Sequence, residues 1–208
     1  MCQIGYADAV PASDSPRPLH TRVRQGIREQ VRMTAIELML ERGFARTSVD
    51  DIAHAAGISR RSFYRYFGTR EDLVLGRTED QVATLVAALA ARPLDEDAWT
   101  ALERAAQSLP DAGQPAGRSL AFARLVLGDP DLRAHQLEQR ASWRQALAPV
   151  VEERARRCGI GLDAVGATAV VAAALSCLDV AVAAWVEQGG QVPLAQLYER
   201  AVDAVRAR

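Results

Sequence analysis

At 208 residues, with 49% hydrophobic and 25% charged side chains, the chain has apolar material for a domain-sized core and the polarity of an ordinary soluble protein. The net charge of −1 hides a division: residues 17–70 hold 11 Arg against 5 acids, and residues 71–208 hold 14 Arg against 19 acids. A basic first third joined to an acidic remainder points to a polyanion-binding segment attached to a part that must not bind polyanions. Lysine is absent, and three widely spaced cysteines (Cys2, Cys158, Cys177) argue against a disulfide framework or a zinc site, which fits a cytoplasmic setting.

Asp8, Asp14 and three prolines among the first residues do not read as a secretory signal, and residues 1–20 are expected to form a disordered arm. From Arg24 to Arg42, Ile27, Val31, Ala35, Leu38 and Met39 recur at three- and four-residue steps, predicting an amphipathic helix closed by Gly43. A short helix then opens at Thr47, with Asp50 returning the cap bond, and stops at Gly57. Ser59 caps a third helix carrying Phe63, Tyr64 and Phe67. Thr69, with Asp72, caps a longer helix expected to reach Ala91. Further helices are predicted near 95–109, 116–128, 130–157, 162–188 and 194–207, separated by Pro- and Gly-bearing joints. No segment alternates with period two, so the fold class is all-α.

The informative segment is Thr47–Leu73, TSVDDIAHAAGISRRSFYRYFGTREDL. It reads as two short helices joined by a tight turn at Gly57-Ile58-Ser59, with Ala53 small where they approach and Ile52, Ile58, Phe63 and Phe67 buried. Arg60, Arg61, Ser62, Tyr64, Arg65 and Tyr66 are left outward on the second helix. Guanidinium groups bond bidentately to guanine edges, while Ser and Tyr hydroxyls reach phosphate oxygens. The N-terminal end of such a helix points into the major groove, which puts Arg60 and Arg61 nearest the bases.

With the ERGF turn at Glu41–Phe44, TSVDDIAHAAGIS, the Y-x-Y-F run at Tyr64–Phe67 and the basic residue before E-D-L, the stretch from Ile27 to Leu73 resembles the DNA-binding region of the TetR family. The resemblance implies a three-helix DNA-binding domain over residues 21–70 and a helical ligand-binding and dimerisation domain over 71–208. It implies a repressor that binds operator DNA as a homodimer. By position it implies that Thr47, Ser48, Tyr64, Tyr66 and Arg70 meet phosphate, that Arg60, Arg61 and Arg65 face bases, and that Ser62 serves either; Ser59 completes the expected contact set. Gly68 replaces a common Pro, and Arg61 stands where many relatives have Gly, so base preference does not transfer.

In the C-terminal two thirds, the apolar run Ala164–Val186 carries Asp179 as its one charge. A charge at a bilayer centre costs about 2.5–3.5 kcal/mol, so a helix in a core or oligomer interface explains the run better than a membrane span. Together with the amphipathic segment bearing Leu194, Leu197, Ala201, Val202 and Val205, it is expected to form a four-helix dimer interface, the role the last two helices play in TetR-like proteins. Two recognition helices about 34–36 Å apart would then read a palindrome. Leu85, Leu89, Trp99, Phe122, Leu125, Trp143, Leu147, Leu178 and Trp185 are the expected lining of a ligand pocket. The run Leu120–Leu147 resembles TetR-like regulators that sense acyl-coenzyme A-type ligands, which implies Arg124, Arg140 and Arg144 as anion partners at the pocket mouth. A small-molecule effector that releases DNA follows from that resemblance. The alternative is a DNA-binding regulator with no small-molecule effector, constitutive or gated by a protein partner.

Enzyme readings fail on context. Gly159–Ala164 fits G-x-G-x-x-A but follows a helical run instead of a strand, and Gly113–Ser119 is too short for a phosphate loop and lacks Lys. His20, His54 and His135 have no partners at metal or triad spacing. No catalytic residue, metal or cofactor is expected.

Overall fold

The computed structural model describes residues 19–109 and 116–207. The described residues form ten helices and no strand: α1 Leu19–Arg42, α2 Val49–Ala55, α3 Arg60–Phe67, α4 Arg70–Leu75, α5 Thr78–Ala90, α6 Ala98–Ala106, α7 Ala116–Gly128, α8 Pro130–Arg157, α9 Ala164–Glu187 and α10 Leu194–Arg206. The all-α class holds, and most boundaries fall within a few residues of those expected. Helix α1 starts at Leu19, five residues before the expected Arg24, so the last two positions of the expected arm are helical; residues 1–18 lie outside the described residues. The Gly113–Ser119 run begins outside them as well.

One helix is corrected into two. The segment expected to run from Thr69 to Ala91 breaks after Leu75, where Gly76 takes φ +80°. That left-handed backbone suits Gly alone among common residues, and the break leaves the last carbonyls of α4 without helical partners. Side chains from three other helices take them. Arg32 of α1 donates Nε to Leu73 O and Nη2 to Val74 O, both at 3.2 Å; Gln81 of α5 donates to Leu75 O at 2.6 Å; Gln139 of α8 donates to Gly76 O at 3.0 Å. The end of α4 is therefore a junction tying α1 to the C-terminal helices.

Three cores organise the chain. The first gathers Val31, Ala35, Met39, Phe44, Ile52, Phe63 and Phe67 with Leu73–Leu75 of α4, and closes on Val126 of α7 and Leu132 of α8. It thus extends past residue 70, the expected edge of the DNA-binding domain. The second lies among α5, α6, α8 and α9, and the third among α7, α9 and α10. Helix α9 runs through the last two. Its buried stripe is Ala167, Val171, Ala174, Cys177, Ala181 and Trp185, at three- and four-residue steps. Three of these are Ala, which lets α8 and α10 approach its backbone. Helix α9 is long and apolar enough to cross a membrane by length and composition, yet here it packs at the centre of the C-terminal bundle. Gly159–Ala164 is the joint between α8 and α9: Gly159 has φ +69° and Asp163 caps α9 through the Gly166 amide at 2.8 Å.

Buried Arg154 staples the α5–α6 connection. Its guanidinium donates to the carbonyls of Arg92 and Pro93 at 2.7 Å, and reaches those of Leu89 and Glu96 at 3.4 Å.

Candidate nucleic-acid interface and ligand cavity

Helices α2 and α3 are short, so their caps and their packing on α1 decide whether they form. The α2 cap sits one residue later than expected: Ser48, not Thr47, accepts from the Asp51 amide at 3.1 Å, and Asp51 accepts from the Ser48 amide at 2.9 Å. The Ser48 hydroxyl and amide hold the Asp51 carboxyl below its usual range. Thr47 is fully buried and its hydroxyl donates to Gly43 O at 2.9 Å. The phosphate contact expected of Thr47 is therefore withdrawn, because the β-branched side chain turns inward to fasten the α1–α2 turn. Gly57, at φ +64°, carries the turn, with the Ile58 amide bonded to Ala53 O at 2.9 Å. Ser59 caps α3, accepting from the Ser62 amide at 3.1 Å.

Phe63 and Phe67, one turn apart, are buried with ring centroids 5.5 Å from each other, and this fixes the rotation of α3. Arg60, Arg61, Tyr64 and Arg65 then face outward. Ser62 and Tyr66 are half-buried, and Tyr66 packs partly against the first core. Arg60 pairs with Asp50 of α2 at 3.3 Å, and Arg65 lies 5.1 Å over the Tyr66 ring. Arg61 has no side-chain partner among the described residues. It is the guanidinium on this face with both edges unengaged.

Arg70, expected on phosphate, is occupied elsewhere. Its Nη1 donates to Phe44 O at 3.0 Å and Thr47 O at 2.6 Å, and its guanidinium covers the Phe44 ring at 4.4 Å. The arginine before E-D-L thus fastens α4 to the turn before α2; its contribution to the face is to hold Ser48 and α2 in place.

The second feature is an open-mouthed cavity of about 440 Å³ lined by α5, α6, α8, α9 and α10. Of the nine expected lining residues, Leu85, Trp143, Leu147 and Leu178 line it. The other five are corrected. Leu89 is wholly buried in the second core; Trp99 packs between the second and third; Phe122 and Leu125 lie on α7 against the first; Trp185 is buried in the third. Leu89 and Trp185 are surrounded by filled packing, whereas Trp99, Phe122 and Leu125 are half-buried at the edges of their cores. Leu102, Leu109, Val171, Leu175 and Tyr198 complete the apolar wall unforeseen, since no spacing separates a residue facing a void from one facing a filled core.

Among the three arginines implied at the mouth, Arg140 lines the cavity, whereas Arg124 and Arg144 are exposed away from it. The Arg140 guanidinium stacks 4.4 Å over the Trp143 ring, with Nε 3.4 Å from Asp179 Oδ1. Burial pushes the Arg140 pKa down, opposed by Asp179; burial likewise pushes the Asp179 carboxyl up, opposed by Arg140. At another wall of the cavity, burial and the Glu199 charge raise the Glu103 carboxyl, and burial pushes the Tyr198 hydroxyl up to about 12.

A capped helix–turn–helix presenting unpartnered arginine, coupled through α4 to a hollow helical bundle, defines a regulator of the helix–turn–helix class. Residues 33–76 match the model of the bacterial regulatory proteins of the tetR family, and residues 96–208, more than half the chain, match that of the MftR C-terminal domain. The chain belongs to the TetR family, a family of transcriptional regulators and not of enzymes. It is 33% identical over 123 residues to a Mycobacterium tuberculosis protein named as the mycofactocin biosynthesis transcriptional regulator MftR, covering 58% of this chain and 61% of that one. It is 29% identical over 152 residues to the HTH-type transcriptional regulator TcmR of Streptomyces glaucescens, covering 70% and 66% respectively. The chain thus spans slightly under two thirds of the length of these curated relatives. Among solved structures, a TetR-family regulator from Mesorhizobium loti shares the fold, with a TM-score of 0.53 at 16% identity over 88% of this chain and 95% of that one.

Proposed function

We propose that this chain represses transcription by binding an inverted-repeat operator as a homodimer, and that a small hydrophobic or acyl-type ligand in the cavity releases it. The exposed arginine face of α3 carries this reading. Arg60, Arg61 and Arg65 are directed to base edges, while Ser48, Ser59, Ser62, Tyr64 and Tyr66 are directed to phosphate or sugar. Arg61, free on both edges, makes the principal base contact, and Arg60 must exchange Asp50 for DNA.

The dimer is assigned to the outer faces of α9 and α10. Val165 and Val180 of α9 and Val205 of α10 are exposed large hydrophobic side chains in the single chain, beside small residues that permit close helix packing. A second copy is the occupant that covers an apolar face this long and pairs the two reading heads.

Release follows from linkage between two sites. A ligand lowers operator affinity by as much as it prefers the conformation in which the heads are out of register. The path runs along α8: Arg140 and Trp143 line the cavity, and Gln139, the neighbour of Arg140, holds the Gly76 carbonyl at the end of α4. His135, one turn earlier, lies 3.6 Å from Asp72 of α4. A shift of α8 around a ligand therefore moves the junction on which α4, and with it α3, is mounted.

The test is a reporter gene driven by a promoter carrying the operator, measured with and without the chain. Genes of mycofactocin biosynthesis, named for the MftR relative, are the first place to seek that operator. Lower expression with the chain present supports repression; higher expression contradicts it. A cavity ligand that tightens operator binding would reverse the proposed sign of the response.

A further inference from the structure

The cavity wall is mostly apolar; its polar side chains are Glu103 and Gln107 near the end of α6, Tyr198 of α10, and Arg140 and Trp143 where α8 crosses it, and on α8 the polar atoms are unsatisfied. Nε and Nη1 of Arg140 and Nε1 of Trp143 are buried and make no hydrogen bond among the described residues. Asp179 gives Arg140 charge compensation at 3.4 Å without a well-directed bond. Most buried donors in folded proteins find an acceptor, and one left without costs the desolvation it suffered. Arg154, on the same helix and buried, shows the ordinary outcome, with four carbonyls around its guanidinium. Two neighbouring side chains with missing acceptors on the wall of one cavity point to an acceptor supplied from outside the chain.

The charges around the site decide what kind. Arg140 is balanced by Asp179, and Glu103 adds a second carboxyl at the cavity with Glu199 behind it. A carboxylate ligand would bring one more negative charge into a pocket where Arg140, the cation lining it among the described residues, is already matched by Asp179. A carbonyl oxygen accepts from guanidinium and indole without adding charge. The flat indole and the Tyr198 ring suit a planar apolar body, and about 440 Å³ lies within the range of small-molecule pockets.

The geometry points to a ligand subsite at Arg140 and Trp143 for a neutral carbonyl oxygen, as in an aryl ketone or a quinone, borne on an apolar skeleton that fills the cavity. This rests on the cavity being the effector site, and it names the chemical group read there. The guanidinium is held by ring stacking and one poorly directed carboxylate, so it re-aims onto the ligand at little cost. Doing so loosens Asp179, whose α9 neighbour Val180 lies on the face assigned to the second subunit. Ligand capture at Arg140 therefore reaches the dimer face through Asp179 and the α4 junction through Gln139.

The test uses the full chain and three naphthalene probes. These are a propionyl-dimethylaminonaphthalene, its propyl counterpart without the carbonyl oxygen, and a dimethylamino-naphthoate. The quantity read is the ratio of ketone to propyl affinity, in which the shared hydrophobic contribution cancels between variants. R140M should lower this ratio at least about tenfold, and W143F about threefold, as expected for losing a charged and a neutral donor. Wild-type protein should bind the ketone more tightly than the naphthoate. A ratio unchanged in both variants overturns the carbonyl subsite while leaving the effector cavity in place, as does preference for the naphthoate. No binding of any probe overturns the subsite and the effector half of the proposed function together, while operator binding by α3 is judged separately. W143F removes a donor and keeps an aromatic ring, so it reads the subsite even if R140M fails to fold.

Discussion

The two halves of this chain use one residue type in opposite ways. Lysine is absent, so arginine supplies every strong base. On α3, Arg60, Arg61 and Arg65 stand in solvent on a helix whose rotation is set by two buried phenylalanines, and in the function proposed above their guanidinium donors are the ones directed to DNA. In the C-terminal bundle, Arg154 and Arg140 are enclosed. Arg154 has a full set of carbonyls and fastens a loop; Arg140 has a ring, a poorly directed carboxylate and a cavity. Burial alone therefore does not give an arginine its role. The number of its donors already satisfied does.

The largest effect tests the exposed set. R61A should weaken operator binding at least about thirtyfold, since a bidentate arginine–guanine contact is worth roughly 1–3 kcal/mol and a homodimer loses two. Its thermal midpoint should stay at the wild-type value, because Arg61 is exposed and has no hydrogen-bond or ion-pair partner among the described residues. An R61A protein that keeps wild-type operator affinity would break the assignment of Arg61 as the principal reader.

The buried pair offers a sharper contrast with one substitution type. R154M should lose about 3 kcal/mol in urea unfolding, because carbonyls that had a charged donor are left without one. R140M should lose clearly less than R154M, because the Asp179 carboxylate that it leaves without a cation is 44% exposed and can take water in place of the guanidinium. Equal losses in the two variants would contradict the distinction between them.

How much of this was legible in the sequence follows the same division. The helix–turn–helix could be read because its determinants are local: Gly57 for the turn, Ser59 for the cap, and Phe63 and Phe67 at one-turn spacing. Local reading erred by one residue at α2, where Thr47 and Ser48 are both competent caps and the burial of Thr47 against the α1 turn decided between them. It also missed the break at Gly76, because a lone Gly in an apolar-periodic run is compatible with a continuous helix. Side chains from α1, α5 and α8 made the break favourable by capping α4. The cavity was half legible for a similar reason. Leu89 and Leu85 are both large and both inward, and which of them meets empty space depends on how five helices cross.

Smaller effects test the local determinants. S48A should cost about 1 kcal/mol through loss of the α2 cap, with a parallel loss of operator affinity as α2 frays. T47A should leave no deficit in phosphate-dependent salt sensitivity, since its hydroxyl serves Gly43. The smallest is electrostatic. The bonds from Arg92 and Arg104 hold the Glu96 carboxyl down from 4.5 to about 2. A carboxyl lowered on folding stabilises above its unfolded value, and that contribution is lost as pH falls from 4.5 toward 2. E96Q should therefore flatten the acid side of the stability curve across that interval and leave the neutral side parallel to wild type.

The most direct measurement of the central claim is selection of binding sites from random duplex DNA by the purified chain at near-physiological salt, where non-specific phosphate attraction is weak. The account predicts enrichment of an inverted repeat with half-sites about one helical turn apart, lost in R61A. Binding without enrichment, fading smoothly as salt rises, would show the α3 face to be an electrostatic patch and would contradict sequence reading by this chain.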